Sequence, residues 1–340
     1  MLDFLAQYGL FLAKTVTLLT GLVIAAGIVA NLIHHARELG HDRFHIRSIN
    51  RRLRDMAAVL DAELLDKPAR KAQAKARKAK DKAERQARKH GHANERPRIF
   101  VLDFHGDIRA AQTTALREEI SALLQVAKEH DEVLVRLESP GGMVPGYGLA
   151  ASQLQRIRDR RIKLTVAVDK VAASGGYLMA CVADRIIAAP FAIIGSIGVV
   201  AQLPNFNRLL KSHDIDYELH TAGQYKRTLT LFGENTEEGR AKFRAEIEEV
   251  HALFKSFVTQ NRPQLPIDQV ATGEHWYGTR ALALKLIDEI RTSDDWLLDH
   301  VKDADVIEVH YKPRASISDR IAHGLARLRG EPPREGPMLL

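Results

Sequence analysis

From Ile99 onward the chain alternates short apolar runs with helix-length amphipathic stretches, and this alternation restricts its fold more than any other feature. IFVLDF (99–104) reads as a buried strand, TTALREEISALLQVAKEH (113–130) as an amphipathic helix and EVLVRLES (132–139) as a strand. YGLAASQLQRIRDRR (147–161) follows as a helix and KLTVAVDKVAAS (163–174) as one strand running into a serine turn. Strands spaced by helices of this length imply an α/β protein with a β-α-β layered core. GYLMACVAD continues as a helix, RIIAAP follows, and Gly195-Ser196-Ile197-Gly198 makes a glycine-flanked turn. A long helix is expected over TEEGRAKFRAEIEEVHALFKSFVTQ, with Thr236 as N-cap and glutamates in the first turn.

The N-terminal part has a different texture. Residues 10–33, LFLAKTVTLLTGLVIAAGIVANLI, carry one charge, Lys14, and match the roughly 20 apolar residues that span a bilayer. Asp3 and the absence of a basic residue before Lys14 argue against a cleaved signal peptide. The expectation is a single-pass anchor in the cytoplasmic (inner) membrane. Residues 34–98 then hold 19 Lys or Arg against 9 Asp or Glu, a net +10 that exceeds the +7 of the whole chain. The middle of that stretch has almost no large apolar residue, so it reads as a solvated helical or flexible linker, with some attraction to anionic headgroups. No aromatic residue is interleaved to stack bases, which removes nucleic acid as a partner. The expected organisation is an anchor at 1–36, a basic Ala/Lys/Arg-rich helical linker at 37–97, a globular domain at 98–312 and an amphipathic, Pro-containing tail at 313–340. One cysteine, Cys181, allows no disulfide framework or cysteine-rich metal site, and nothing calls for a metal or another cofactor.

Three motifs carry chemistry. Ala173-Ser174-Gly175-Gly176-Tyr177 puts a serine where an apolar strand meets an apolar helix, Ser139-Pro140-Gly141-Gly142 lies upstream, and Lys226 sits in Ala222-Gly223-Gln224-Tyr225-Lys226-Arg227 downstream. A serine hydroxyl is a weak nucleophile that needs a base and donors for the oxyanion. Backbone N–H groups at Gly175 and at Gly141-Gly142 can approach a carbonyl closely. An ordinary lysine leaves roughly one molecule in two thousand neutral at pH 7, so a lysine base needs a site that disfavours its ammonium. HTAGQYKRTLTLFG places few acids near Lys226, the first downstream being Glu234. Ser196 is suited to orient the amine. Taken singly, each motif is equally an ordinary turn or a surface lysine. Their joint presence on an α/β domain is what suggests a serine peptidase with a lysine base.

At these residues the chain resembles the signal peptide peptidase A family of membrane serine peptidases, on its SohB branch. The resemblance spans roughly residues 98–300 and rests on SPGGMV, ASGGYLMACVADRIIAAPFAIIGSIGVV, HTAGQYKRTLTLFGENTEEGR and GEHWYGTRALALKLIDEI. It implies Ser174 as nucleophile, Lys226 as general base and Ser196 as the lysine's helper, with Gly175 and the Gly141-Gly142 turn as oxyanion hole. It also implies the β-β-α spiral of Clp protease and the crotonases, a ring-like homo-oligomer, and substrates such as signal peptides or other short or unfolded membrane-associated chains. The basic flank favours a cytoplasmic catalytic portion and the family its outer side, so the side of the membrane stays open.

Three other readings remain. A crotonase-like acyl-CoA enzyme would use a carboxylate in place of the Ser174 and Lys226 pair. A Ser-His-Asp hydrolase would draw on His105, His130, His213, His220 or His251, none in a triad-like motif; His275 reads as packing its turn with Trp276 and Tyr277. A catalytically inactive membrane scaffold would bind peptides on the same fold.

Overall fold

The structure, a computed structural model, describes residues 9–22, 27, 44–89 and 96–312. The chain divides into two units, Met1–His45 with Tyr311–Leu340, and Ile46–His310. In the first, residues 9–22 form a helix whose Leu10, Phe11, Val16, Leu18 and Leu22 are exposed. Apart from residue 27, the remainder of the expected 10–33 anchor lies outside the described residues, as does the 313–340 tail. Among the described residues no helix is long and apolar enough to cross a membrane.

The second unit is built on β2 (Arg98–His105), β3 (Glu132–Glu138), β4 (Lys163–Val168), β6 (Arg185–Ala188), β9 (Glu289–Ile290) and β10 (Asp305–Tyr311). With β1 (Phe44–Ser48) at one edge, they form a seven-stranded sheet in the order β1-β10-β2-β3-β4-β6-β9. The pairings from β10 through β9 are parallel. A parallel sheet is covered on both faces, so its strands are apolar throughout rather than alternating. In β2, Ile99 to Leu102 and Phe104 are all buried. Helices α3 (Thr113–Val126) and α4 (Val144–Arg158) cover one face and bury Leu116, Ile120, Leu123, Leu154 and Ile157. On the other face Ile99, Val101, Leu134, Ala167 and Ile187 pack with Trp296 and Leu297 of α10 (Ser293–His300) and with Ile49.

Ile49 opens α1 (Ile49–Leu64), which falls inside the stretch expected to be linker. The next residue, Asn50, donates through Nδ2 to the carbonyls of Val301 (3.0 Å) and Ala304 (2.8 Å) and accepts from the Val306 N–H (2.7 Å). The folded unit therefore begins about fifty residues before Arg98, because two residues at the head of a basic helix close the sheet face. Helix α2 (Lys67–Lys89) follows, its described side chains exposed.

A second structural correction concerns KLTVAVDKVAAS, which is two strands. After β4 the chain bends at Asp169-Lys170 and enters β5 (Val171–Ala173) of a smaller sheet, β5-β7-β8. Asp169 holds the bend by accepting from the Ser293 N–H (2.8 Å) and Oγ (2.5 Å). β6 leads into β7 (Ile193–Gly195) in the same way, and β3 into Ser139, which bridges to Ala172. β8 (His275–Tyr277) closes the small sheet antiparallel to β7. Three successive strands of the large sheet thus deliver their following residues to one small sheet, and Ser139, Ser174 and Ser196 all lie there.

The helix expected from Thr236 is α7 (Glu237–Asn261), with the Thr236 hydroxyl accepting from the Gly239 N–H at 3.1 Å. Between β7 and that helix, and along most of it, the chain is an arm: no residue from 199 to 257 is buried.

Candidate active site

Ser174 stands between β5 and the short helix α5 (Gly175–Ala180). Its backbone sits at φ 51°, ψ −117°, outside the regions that L-residues favour, at a cost of order 1–3 kcal/mol. The surroundings impose that conformation. The Ser174 N–H donates to the Gly195 carbonyl (2.8 Å), its carbonyl accepts from the Leu178 N–H (3.0 Å), and the preceding Ala173 N–H donates to the Ser139 carbonyl (3.0 Å). Its half-buried hydroxyl has no hydrogen-bond partner among the described residues.

Ser196 occupies the matching place one strand over. Ala173 pairs with Gly195 in parallel register, so the two serines leave adjacent strand ends, roughly 4.8 Å apart in the pairing direction. Ser196 also has a positive φ, 52°, and its N–H donates to the Glu274 carbonyl at 2.6 Å. His275 pairs with Gly195 on the far side of β7 and is exposed; Gly195 lies against the Trp276 ring, in keeping with a packing role for this turn.

The Ser139-Pro140-Gly141-Gly142 turn closes over the serine. Gly141 has φ +92°, and a Cβ there would fall 2.7 Å from the Ser174 Cβ and 2.9 Å from the Gly175 nitrogen, so only glycine lets the two segments meet. The Gly141 N–H is not open to a substrate, because it donates to Ser139 Oγ at 3.1 Å. The N–H groups of Gly142, an exposed residue, and of Gly175, a buried one at the head of α5, have no acceptor among the described residues. Of the three glycines expected to line an oxyanion hole, Gly142 and Gly175 thus keep N–H groups without an acceptor among the described residues, while Gly141 supplies the close approach.

Lys226 is held differently. It lies in the arm, exposed, and no hydrogen bond joins its amine to Ser174 or Ser196 among the described residues. Its surroundings belong to the same arm: the Lys226 N–H donates to the Gly223 carbonyl (3.2 Å), Lys242 lies over the Tyr225 ring (5.5 Å), and Gln224 donates to Glu238 (3.2 Å). Nor does any of His105, His130, His213, His220 or His251 hydrogen-bond to Ser174. His105 instead faces Glu138 at 3.7 Å and His220 faces Glu218 at 3.2 Å.

Two side chains next to the site received no role of their own from the sequence, although Ser139 opens one of the three motifs. Ser139 and Tyr147 are both fully buried, with their hydroxyl oxygens 2.6 Å apart. A tyrosine amid the small residues Gly146, Gly148, Ala150 and Ala151 was the available signal, since a buried phenol requires a polar partner.

A serine on a strained turn, with backbone donors lacking acceptors in the same and the adjoining turn, is an arrangement that acyl-transfer chemistry can use. Comparison with known proteins narrows the class. Residues 3–154 match the family model described as Peptidase family S49 N-terminal, and residues 156–306 that of Peptidase family S49. A probable protease SohB from Haemophilus influenzae is 51% identical over 322 residues, covering 93% of this chain and 91% of the relative. A second probable protease SohB, from Buchnera aphidicola of Acyrthosiphon pisum, is 58% identical over 237 residues, covering 68% of this chain and 70% of the relative. Among solved structures, a 1510-N membrane-bound stomatin-specific protease bound to a substrate peptide aligns with a TM-score of 0.40 and 15% identity, covering 69% of this chain and all of that one. The chain is a peptidase: it belongs to peptidase family S49, on the SohB branch.

Proposed function

We propose that this peptidase is a membrane-anchored serine endopeptidase with a Ser174-Lys226 dyad, acting on signal peptides or other short or unfolded membrane-associated chains. The observation that carries the reading is the partnerless hydroxyl of Ser174 on a turn packed against Gly141, with the N–H groups of the adjoining Gly142 and Gly175 lacking an acceptor among the described residues. Ser174 Oγ attacks the scissile carbonyl and passes its proton to the neutral Lys226 amine. The carbonyl oxygen, now negative, accepts from Gly142 and Gly175, donors already in place before charge develops. Collapse breaks the C–N bond, and the Lys226 ammonium returns the proton to the leaving amine. Water, deprotonated by the same lysine, then hydrolyses the acyl-enzyme. Ser196, beside Ser174 at the strand end, orients the amine. The strand-strand-helix repetition suits the Clp protease and crotonase spiral, and residues 10–33 serve as the anchor.

The exposure of Lys226 favours supply of the base by a neighbouring copy in a homo-oligomer. The arm that carries it exposes Leu203, Phe206, Tyr217, Leu219 and Phe232 and buries nothing, and a contiguous apolar exposure of this kind marks an interaction surface.

The test is peptide hydrolysis by detergent-solubilised wild type, Ser174→Ala and Lys226→Ala. Wild-type activity should rise with pH as the base loses its proton, and each variant should lose at least a thousandfold in kcat. Mixing the two inactive variants should restore part of the activity, since mixed rings hold an intact Ser174 facing an intact Lys226. Full activity in either variant alone would refute the dyad; two inactive variants that do not complement would place the base in the same subunit. A wild type that binds peptide without cleaving it would favour a scaffold.

A further inference from the structure

The hydrogen bonds beneath the Gly141-Gly142 turn run in one direction only. The Gly141 amide can only donate, and reaches Ser139 Oγ at 3.1 Å. The Asp107 carbonyl can only accept, and receives the Tyr147 hydroxyl at 2.8 Å. Since Tyr147 has one proton and gives it to Asp107, the 2.6 Å contact between the hydroxyls must be Ser139 donating to Tyr147. Burial pushes the Tyr147 phenol above its ordinary range, although the bond to Ser139 opposes this, so the phenol keeps its proton for Asp107.

The relay touches both proposed oxyanion donors. By taking up the Gly141 N–H, it leaves the next amide, that of Gly142, as the one in the turn without an acceptor among the described residues. The Tyr147 ring fixes the other donor, because it lies against Gly175 so closely that any Cβ there would collide with it. The far end of the relay is itself anchored. The Asp107 carboxylate accepts from the N–H groups of Arg109 (3.1 Å) and Ala111 (2.8 Å), and the Ile108 carbonyl accepts from the Met143 N–H (2.8 Å).

Resting on the reading that Gly142 and Gly175 receive the oxyanion, we infer that Ser139 and Tyr147 are positioning residues that together hold those two donors in register with Ser174. Neither touches the substrate. Their contribution is to the placement of groups that act most strongly in the transition state, so their loss should appear in kcat and leave KM nearly alone.

The experiment compares wild type, Tyr147→Phe, Ser139→Ala and the double variant in the full-length, detergent-solubilised protein, with kcat counted per titratable Ser174 and thermal midpoints measured in parallel. Tyr147→Phe keeps the ring against Gly175 and removes only the hydroxyl. Each single variant should lower kcat about tenfold with KM within about twofold, and should weaken a peptide aldehyde, which forms the tetrahedral oxyanion, about as much as kcat falls. A cleaved product peptide should bind as before. The double variant should be no worse than the poorer single one, because a broken relay cannot be broken twice. If Tyr147→Phe does not fold, Ser139→Ala, which deletes one oxygen, carries the same comparison. Singles within twofold of wild type in kcat, or losses confined to KM or to the thermal midpoint, would overturn the relay. Ser174→Ala run alongside separates the two levels: its retained activity would sink the site itself, whereas a dead Ser174→Ala with unaffected relay variants would sink only the relay.

Discussion

The two halves of the proposed dyad lie in regions built to opposite plans. The serine half rests on β2 to β7, where Val101, Leu102, Leu134, Leu164, Tyr147 and Tyr177 have no accessible surface, and the turns at Ser139 and Ser174 are tied to neighbouring strands by backbone hydrogen bonds. The lysine half lies in the 199–257 arm, which holds its shape through local contacts: the Phe206, Tyr217 and Phe232 rings meet at 5.8–6.1 Å between centroids, and Asn205 Nδ2 bridges the Thr230 and Gly233 carbonyls at 2.8 and 3.0 Å. A nucleophile under backbone strain needs the first kind of support, because only an over-determined environment holds a residue at φ 51°. An arm proposed to meet a neighbouring copy and admit a polypeptide needs the second. Stability in such a molecule is uneven, and the proposed chemistry joins its most and least buried parts.

The largest expected effect breaks this comparison if it fails. Trp296 is 1% exposed and closes the sheet face against Ile99, Val101 and Ile187, so Trp296→Ala should cost about 3–5 kcal/mol of unfolding free energy. Phe232, 41% exposed, is as aromatic and as much in contact with other rings, yet Phe232→Ala should cost under about 1 kcal/mol in dispersed protein. Its effect should appear in sedimentation and in activity, as a shift toward smaller assemblies. Denaturant melts and velocity sedimentation of both variants decide the matter. A Phe232→Ala loss comparable to that of Trp296→Ala would mean that the arm is part of the core.

Charges sharpen the contrast at the next level down. Asp131 is buried at the foot of β2 and accepts from the Arg98 side chain and from the N–H groups of Arg98 (3.0 Å) and Lys128 (2.8 Å). Burial alone would raise its pKa, but these bonds and the guanidinium charge outweigh that and hold its carboxyl below the usual Asp range. A depressed carboxylate pKa adds stability above the unfolded-state value, about 3.9, and loses it as pH falls through the folded value. Asp131→Asn should therefore cost about 2 kcal/mol at neutral pH, with the gap from wild type shrinking below about pH 4. Glu234, whose ion pair with Lys211 at 3.1 Å is mostly solvent-exposed, should tolerate Gln with no measurable change. Melts of both variants between pH 3 and 7 give the sign directly, and a gap that widened in acid would contradict the assignment.

How much of this could be read from the chain depended on whether the cause was local. The apolar run of β2, the Thr236 cap and the turn after Ala173 follow from neighbours in sequence, and the structure has each where its residues indicate. The break between β4 and β5 was marked locally only by the charged pair Asp169-Lys170 between two apolar runs, while the bend is held by Ser293, 124 residues away. Ile49 and Asn50 gave no periodic signal among arginines, and the hydrogen-bond partners of Asn50 lie about 250 residues downstream. At the site, the glycines and serines could be named from their turns, but which glycine N–H is open depended on Ser139 and Tyr147, which the chain places eight positions apart. Lys226 shows the limit most plainly, since a motif can nominate a base but not bring it to a nucleophile on another part of the fold.

The smallest effect tests whether the strain at Ser174 is stored in the folded unit. Glycine adopts φ 51° without the Cβ penalty, so Ser174→Gly removes a cost of order 1–3 kcal/mol from the folded state. It also loosens the unfolded chain, which takes back roughly 0.4–1 kcal/mol. The net expectation is a variant about 1 kcal/mol more stable than wild type and without peptidase activity. Ser174→Ala keeps the Cβ, and with it the strain, and should be inactive at wild-type stability. The two variants differ by one methyl group at one backbone position, so the gap between their denaturation midpoints reads the strain, less the unfolded-chain effect of glycine, without interference from the chemistry. A Ser174→Gly variant less stable than Ser174→Ala by that unfolded-chain effect, roughly 0.4–1 kcal/mol, would mean that the core accommodates this conformation freely, and that catalysis rather than backbone geometry is what the serine contributes there.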